Sequence, residues 1–329
     1  MRLLNGLLVS LLAGCATAAS TPVALPGEPV ADGVAVMRGV FVAGTQPDGN
    51  TVLLRGSNGI VVVDSGRHAA HAARIIDAAH ASGLPVAAIV NTHWHLDHVA
   101  GNVALRAAFP TVEVHASNAI NDALSGFLAD YRKQLEALIA RPDATPENVA
   151  AWLAELARID AGAQLRPTHP VTETQDRLLA GRRVHAGLED NAVSGGDVWL
   201  YDQSTRTLVA GDLVTLPVPL FDTACSEGWQ QALERLDAIG FAGLVPGHGA
   251  PMDHVQFRVY RNGFDRLLAC AASDAPADAC KAGWLRDAAI LIPQQDTALA
   301  SSLLDYYIRQ VLRASPERRA RYCRKGKAS

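Results

Sequence analysis

From about residue 35 the chain alternates short apolar runs with amphipathic stretches. "GVAVMRGVFVAG", "NTVLLRGSNGIVVVDSG" and "PVAAIVNTH" are rich in Val, Leu and Ile and bounded by Gly, Asn and Asp, which predicts strands. "RHAAHAARIIDAAHASG" between them predicts an alanine-rich helix, ended by Gly83 and followed by Pro85. "TVEVHAS" predicts a further strand. Ile120, Leu124, Phe127, Leu128, Tyr131, Leu135 and Leu138 then keep helical spacing, as do Val149, Leu153 and Leu156 after the break at "RPDATPEN". This predicts two inserted helices over about 117–160. "RLLAGRRVHAGL", "GDVWLYDQSTRTLVAGD" and "AGLVPGHG" return to strand patterns, with "EGWQQALERLDAIG" a helix between the last two.

Beyond "PMDH" the pattern is mainly helical over 256–329, with Leu303, Tyr307 and Val311 on one face. No internal repeat of fixed period stands out. Early strands, mixed helices and later strands predict a layered α/β domain over 35–255, followed by a helical carboxy-terminal extension.

Length and composition agree with a globular chain. Its 329 residues suffice for a sizeable core, and 49% hydrophobic with 19% charged residues is an ordinary folded composition. A net charge of −4 gives no electrostatic reason to expect a nucleic-acid partner. The basic run Arg318, Arg319, Arg321, Arg324, Lys325 and Lys327 reads as a solvated chain end, ahead of contact with an anionic membrane.

The segment 1–20, "MRLLNGLLVSLLAGCATAAS", has one arginine, a short apolar stretch and then small residues, the order of an export signal. "LLAGC" is similar to a bacterial lipobox that would lipidate Cys15, giving an anchored lipoprotein; Ala16-Thr17-Ala18 offers ordinary cleavage into the periplasm instead. The remaining cysteines, Cys225, Cys270, Cys280 and Cys323, allow three pairings. Cys270 with Cys280 is the first choice, because they flank one short loop.

Candidate chemistry concentrates in "NTHWHLDHVAGN", where His93, His95, Asp97 and His98 fall within six positions at a strand end. In an extended segment His93 and His95 point the same way, while Trp94 and Leu96 face the core. Asp97 and His98 follow where the chain bends toward a helix. Imidazoles and a carboxylate gathered at one point suit a divalent cation. A polar surface turn would not need three histidines and an aspartate so closely spaced.

"HWHLDH" fits an H-x-H-x-D-H signature, and the chain resembles the metallo-β-lactamase superfamily over about 35–255. "VVVDSG" around Asp64, "LVAGD" ending at Asp212 and "LVPGHG" around His248 lie in the matching order. The resemblance implies a four-layer αββα sandwich with a metal site at one sheet edge. It implies that His93 and His95 hold a first zinc, that Asp97, His98 and His248 hold a second, and that Asp212 bridges them. Asp64 would support the site without binding metal.

One position departs from the pattern. With Gly196-Asp197 fixing the register, the third histidine of the first site falls on Val193, which cannot bind a metal. His185, Glu189 and Asp190 are the nearest substitutes, each otherwise an ordinary polar position; His115, His169 and His254 lack a supporting motif. The expectation is one well-held zinc and a weak second, with iron or manganese also compatible.

Two functions follow. One is a hydrolase using a zinc-activated hydroxide on a small-molecule β-lactam, ester or thioester, lactone or phosphoester, with Asp97 or Asp212 orienting the nucleophile. The other is a non-catalytic cell-envelope binding protein with at most one structural metal. No G-x-S-x-G, Walker-type loop or dinucleotide fingerprint points elsewhere.

Overall fold

A computed structural model describes residues 24–40 and 45–323; Cys15 with the export-like segment, and the basic tail from Arg324 onward, lie outside the described residues. Among those residues the first sheet runs in chain order: β1 (Glu28–Ala31), β2 (Val34–Met37), β3 (Thr51–Arg55), β4 (Ile60–Val63), β5 (Val86–Val90), β6 (Glu113–Ala116) and β7 (His169–Pro170). β1 to β4 pair antiparallel, and β4 to β7 pair parallel. The second sheet holds β8 (Gln175–Leu179), β9 (Arg182–Glu189), β10 (Asp197–Asp202), β11 (Thr207–Thr215), β12 (Gly243–His248) and β13 (Met252–Asp253) in the order β13-β12-β11-β10-β9-β8.

The strand residues are apolar on both faces because both faces are covered. Val61 and Val63 of β4 point between the sheets, against Val198, Leu200 and Val209 of the second. Ile60 and Val62 point outward onto Ile75, Ala78 and Ala79 of helix α1 (Ala69–Ser82). Gly83 ends that helix at φ 70°, a left-handed conformation glycine adopts without steric cost. The short helices α2 (Leu96–Val99) and α3 (Asn102–Ala108) follow β5.

The outer face of the second sheet is covered by α8 (Ser226–Ala238), α9 (His254–Ala271), α10 (Ala277–Asp287) and α11 (Thr297–Tyr306), through Trp229, Phe264 and Trp284 among others. The result is the four-layer αββα arrangement expected, with the helical extension packed on its last layer.

The inserted region differs from the two helices expected. It contains α4 (Ala119–Ser125), α5 (Phe127–Ile139), α6 (Pro146–Asp160) and the single turn α7 (Gly162–Leu165). Gly126, at φ −112° and ψ −102°, breaks the chain between α4 and α5. Apolar spacing crosses that break because both helices bury against the same cluster as Trp94 and Leu96, so periodicity does not reveal it. In the extension α11 passes into a π-helical turn, Tyr307–Leu312, that shifts the expected face. Cys270 bonds Cys280 as expected, and Cys225 bonds Cys323.

Candidate metal centre

The stretch 91–102 leaves the carboxyl end of β5 and is pinned at its two ends to itself. Asn102 Nδ2 donates to Asn91 Oδ1 at 2.7 Å, and Asn91 Nδ2 donates to the His98 carbonyl at 3.1 Å. Ser65 Oγ, just past β4, donates to Asn102 Oδ1 at 2.8 Å. These buried amides hold the loop that carries the histidines. Trp94 and Leu96 turn away into the cluster formed with α4 to α6, as the strand-like alternation predicts.

Below this loop its residues meet Asp64 just past β4, Asp212 within β11 and His248 at the end of β12. His98 Nε2 lies 3.3 Å from His248 Nε2, 3.3 Å from Asp212 Oδ1 and 3.7 Å from Asp97 Oδ2. His248 Nε2 lies 3.1 Å from Asp97 Oδ2, and His93 Nε2 lies 3.7 Å from Asp212 Oδ2. Two overlapping donor groups result, His93–His98–Asp212 and Asp97–His98–His248. Asp212 turns one oxygen to His98 and His248 and the other to His93, so it spans both.

Asp64 stands behind His98. Its Oδ2 is 2.7 Å from His98 Nδ1, and it accepts from the amide and hydroxyl of Thr92, both at 2.7 Å. A carboxylate on the far nitrogen fixes which face of the imidazole is presented. Gly247 and Gly49 let backbone approach the cluster, since a Cβ there would strike Asp212 Oδ1 and the His98 ring respectively.

Electrostatics set the carboxylates, His98 and the two neutral histidines of the loop apart. Burial raises the Asp97 and Asp212 carboxyls, but His98 and His248 overcome it and hold both below the usual carboxylate range. Burial holds His93 well below its usual value, with His98 and His95 adding repulsion, and it lowers His95 too. Burial also works against His98, yet the charges of Asp212, Asp64 and Asp97 raise it well above its ordinary value. Two ionised carboxylates, the neutral His93 and His95, and a His98 imidazole that stays protonated only because carboxylates surround it make a buried site in which a metal cation can take the place of that proton.

The residues fit one. His93 Nε2 and both Asp212 carboxylate oxygens are buried without a hydrogen-bond partner, a costly state that ligation would relieve. The donor separations of 3.1–3.7 Å are close to the roughly 3.3 Å between ligands sharing a tetrahedral zinc at about 2.0–2.1 Å.

His95 stands in neither donor group. Its Nε2 lies 2.8 Å from Thr223 Oγ1, and that hydroxyl donates to the Val193 carbonyl at 2.9 Å. With its proton so used, Thr223 accepts from His95 Nε2–H and leaves the Nδ1 lone pair as the ring's ligand atom. Val193 is fully buried in the core cluster that includes Trp229 of α8, and its carbonyl is linked to His95 through Thr223. Of the substitutes, His185 pairs with Asp176, Glu189 with Arg235 and Trp199, and Asp190 is exposed. His115 and His169 stack across β6 and β7 beside Glu113, and His254 pairs with Asp237. None of these joins the centre.

Sequence patterns did not single out Thr223, Arg67, Asp222 or Tyr307. Arg67 Nη2 lies 3.6 Å from Asp97 Oδ1, and its Nη1 donates to Glu155 of α6 at 2.6 Å. A cavity of about 340 Å³ opens beside the centre, with His95, Asp97 and Arg67 in its wall.

Comparison with known proteins agrees with this geometry. The family model described as the metallo-beta-lactamase superfamily matches residues 44–269. The linear primary-alkylsulfatase of Pseudomonas sp. (strain ATCC 19151) is 24% identical over 218 residues, 61% of this chain and 41% of that protein, so the chain spans less than half of this relative's length. Among solved structures, a metallo-beta-lactamase from Pontibacter korlensis is similar at 18% identity, with a TM-score of 0.51 over 70% of this chain and 94% of that one. A metallo-beta-lactamase family protein from Thermus thermophilus matches at 18% identity, with a TM-score of 0.52 over 84% and 93%. The chain belongs to the metallo-beta-lactamase superfamily.

Proposed function

We propose that this protein is an exported, metal-dependent hydrolase acting on a small molecule bound in the cavity beside Asp97. The observation that carries the reading is the buried convergence of His93, Asp97, His98, Asp212 and His248, in which His93 Nε2 and both Asp212 oxygens have no hydrogen-bond partner. His95 adds a donor from its Nδ1 if the ring keeps its bond to Thr223. When bound, zinc (iron or manganese being compatible with the same donors) polarises the scissile group and lowers the pKa of water toward 7.

The chain's own groups supply position and charge. Asp97 is the cluster carboxylate that lines the cavity, so it orients the attacking water by accepting its hydrogen bond. Asp212, walled in and ionised, holds negative charge across both donor groups. Arg67 sits against Asp97 and keeps that carboxylate aimed.

The two disulfides fit an oxidising compartment, which supports export to the periplasm, free or anchored at Cys15. The alkylsulfatase similarity adds sulfate esters to β-lactams, esters or thioesters, lactones and phosphoesters as candidate substrates. Burial of an apolar Val193 where a ligand was due favours the second reading, a binding protein with one structural metal.

A panel of p-nitrophenyl acetate, sulfate and phosphate with a chromogenic cephalosporin separates the two. The hydrolase turns over at least one, loses this to chelator, regains it with zinc and lacks it as Asp97→Ala. Metal-loaded, folded protein inert on these four and on a thioester and a lactone added to the panel would instead favour the binding reading.

A further inference from the structure

We propose that the carboxy-terminal extension forms a wall of the substrate cavity and selects an apolar acyl or alkyl group; this deepens the hydrolase reading and rests on it. One side of the 340 Å³ cavity is His95 and Asp97. The rest is largely apolar, built by Trp94, Phe127, Leu128, Leu220, Leu303 and Tyr307. Leu303 lies in α11 and Tyr307 opens the π-helical turn after it, so the extension supplies part of the cavity lining.

Tyr307 is fixed there. Its hydroxyl donates to Asp222 Oδ2 at 2.5 Å, and its ring meets Phe221 edge-on at 5.7 Å. Burial and the Asp222 charge hold its phenol well above the usual range, so it remains a donor. The next residue, Thr223, holds His95, and Cys225 carries the disulfide to Cys323. Residues 221–225 therefore bind the extension on one side and the metal loop on the other.

The polar groups of the cavity do not form an anion clamp. Arg67 is engaged by Glu155, the Pro47 carbonyl and the nearby Asp97. Asp222 is exposed and places a negative charge at the cavity wall, which opposes a second anionic group on the substrate. Away from the reacting group Gln46 and Tyr131 add neutral polar groups, and the rest of the lining is apolar surface, where each buried methylene improves binding roughly fourfold.

The test uses p-nitrophenyl esters from acetate to octanoate on the full chain. Turnover efficiency is expected to climb roughly fourfold per methylene until the cavity is full. Leu303 is only half-buried, so Leu303→Trp should fold and bind metal normally while lowering octanoate turnover at least tenfold more than acetate turnover. A flat chain-length profile, or a Leu303→Trp effect equal across the series, overturns the proposal. A second measurement is independent of catalysis: calorimetric titration with 1-octanol against 1-butanol. Saturable octanol binding lost in Leu303→Trp supports the wall even if no ester is cleaved; absence of octanol binding overturns it while leaving the hydrolase reading standing.

Discussion

Asp64 sits at φ 61°, a backbone state that asparagine also tolerates, and accepts hydrogen bonds from Thr92 and His98. Asp64→Asn should therefore fold and keep every donor of the centre. Its zinc affinity should still fall about 10- to 100-fold, read by competition with a chromogenic chelator. Unchanged affinity would mean that packing alone positions His98. Asp197 gives a second residue-scale prediction. Burial pushes its carboxyl up to about 7, against the two hydrogen bonds it accepts from Ser194. Its folded value lies above the unfolded one near 3.9, so stability is full at low pH and is lost as pH rises through about 4 to 7. In metal-free protein, Asp197→Asn should match the wild type near pH 4 and exceed it by about 2–4 kcal/mol at pH 8 in urea unfolding. Equal stability at both values would show that Asp197 ionises normally. Much of the residue scale was legible: His93, Asp97, His98, Asp212 and His248 were marked by motif, and Asp64 by the position it matches in the family resemblance. Thr223 was not, because it meets His95 across 128 positions and a lone hydroxyl leaves no pattern.

At the scale of elements, α6 is tied to the centre by a buried ion pair. Glu155 takes Arg67 on one oxygen and Arg158 on the other, each at 2.6 Å, and Arg67 in turn lies beside Asp97. Glu155→Ala leaves the buried Arg67 guanidinium with Asp97, at 3.6 Å, as its remaining carboxylate partner, so stability should drop by about 3 kcal/mol in a denaturant titration. A loss below about 0.5 kcal/mol would place that pair with ordinary surface contacts. The same region shows where periodicity runs out. Strands β3 to β6 and helix α1 were legible because their apolar runs end at strong punctuation such as Gly83. The α4–α5 break was not, since Leu124, Phe127 and Leu128 bury on one cluster from two helices. β7 and β13 are two residues each, too short to carry alternation.

For the whole molecule, two sheets packed through one apolar layer bring the ends of β4, β5, β11 and β12 to a common edge, and the centre lies there. The order of strand and helix patterns made a layered α/β domain with a helical extension readable; the paired sheets and the edge position of the site were legible only through the family resemblance. The role of the extension was not readable, because which face of a helix meets a cavity depends on a docking that the Cys225–Cys323 bond and the Tyr307–Asp222 pair establish. Among the described residues no helix is long and apolar enough to cross a membrane. The account rests on a buried cluster whose charges and unpartnered atoms call for a cation. The most direct test is the metal content per chain of protein purified without chelator, by inductively coupled plasma mass spectrometry. About one tightly held zinc is expected, from donors sufficient for a single four-coordinate site with water. It should be lost in Asp212→Ala and His248→Ala while circular dichroism stays that of the wild type. Folded wild-type protein that carries no metal and takes up none when zinc is added would contradict the account.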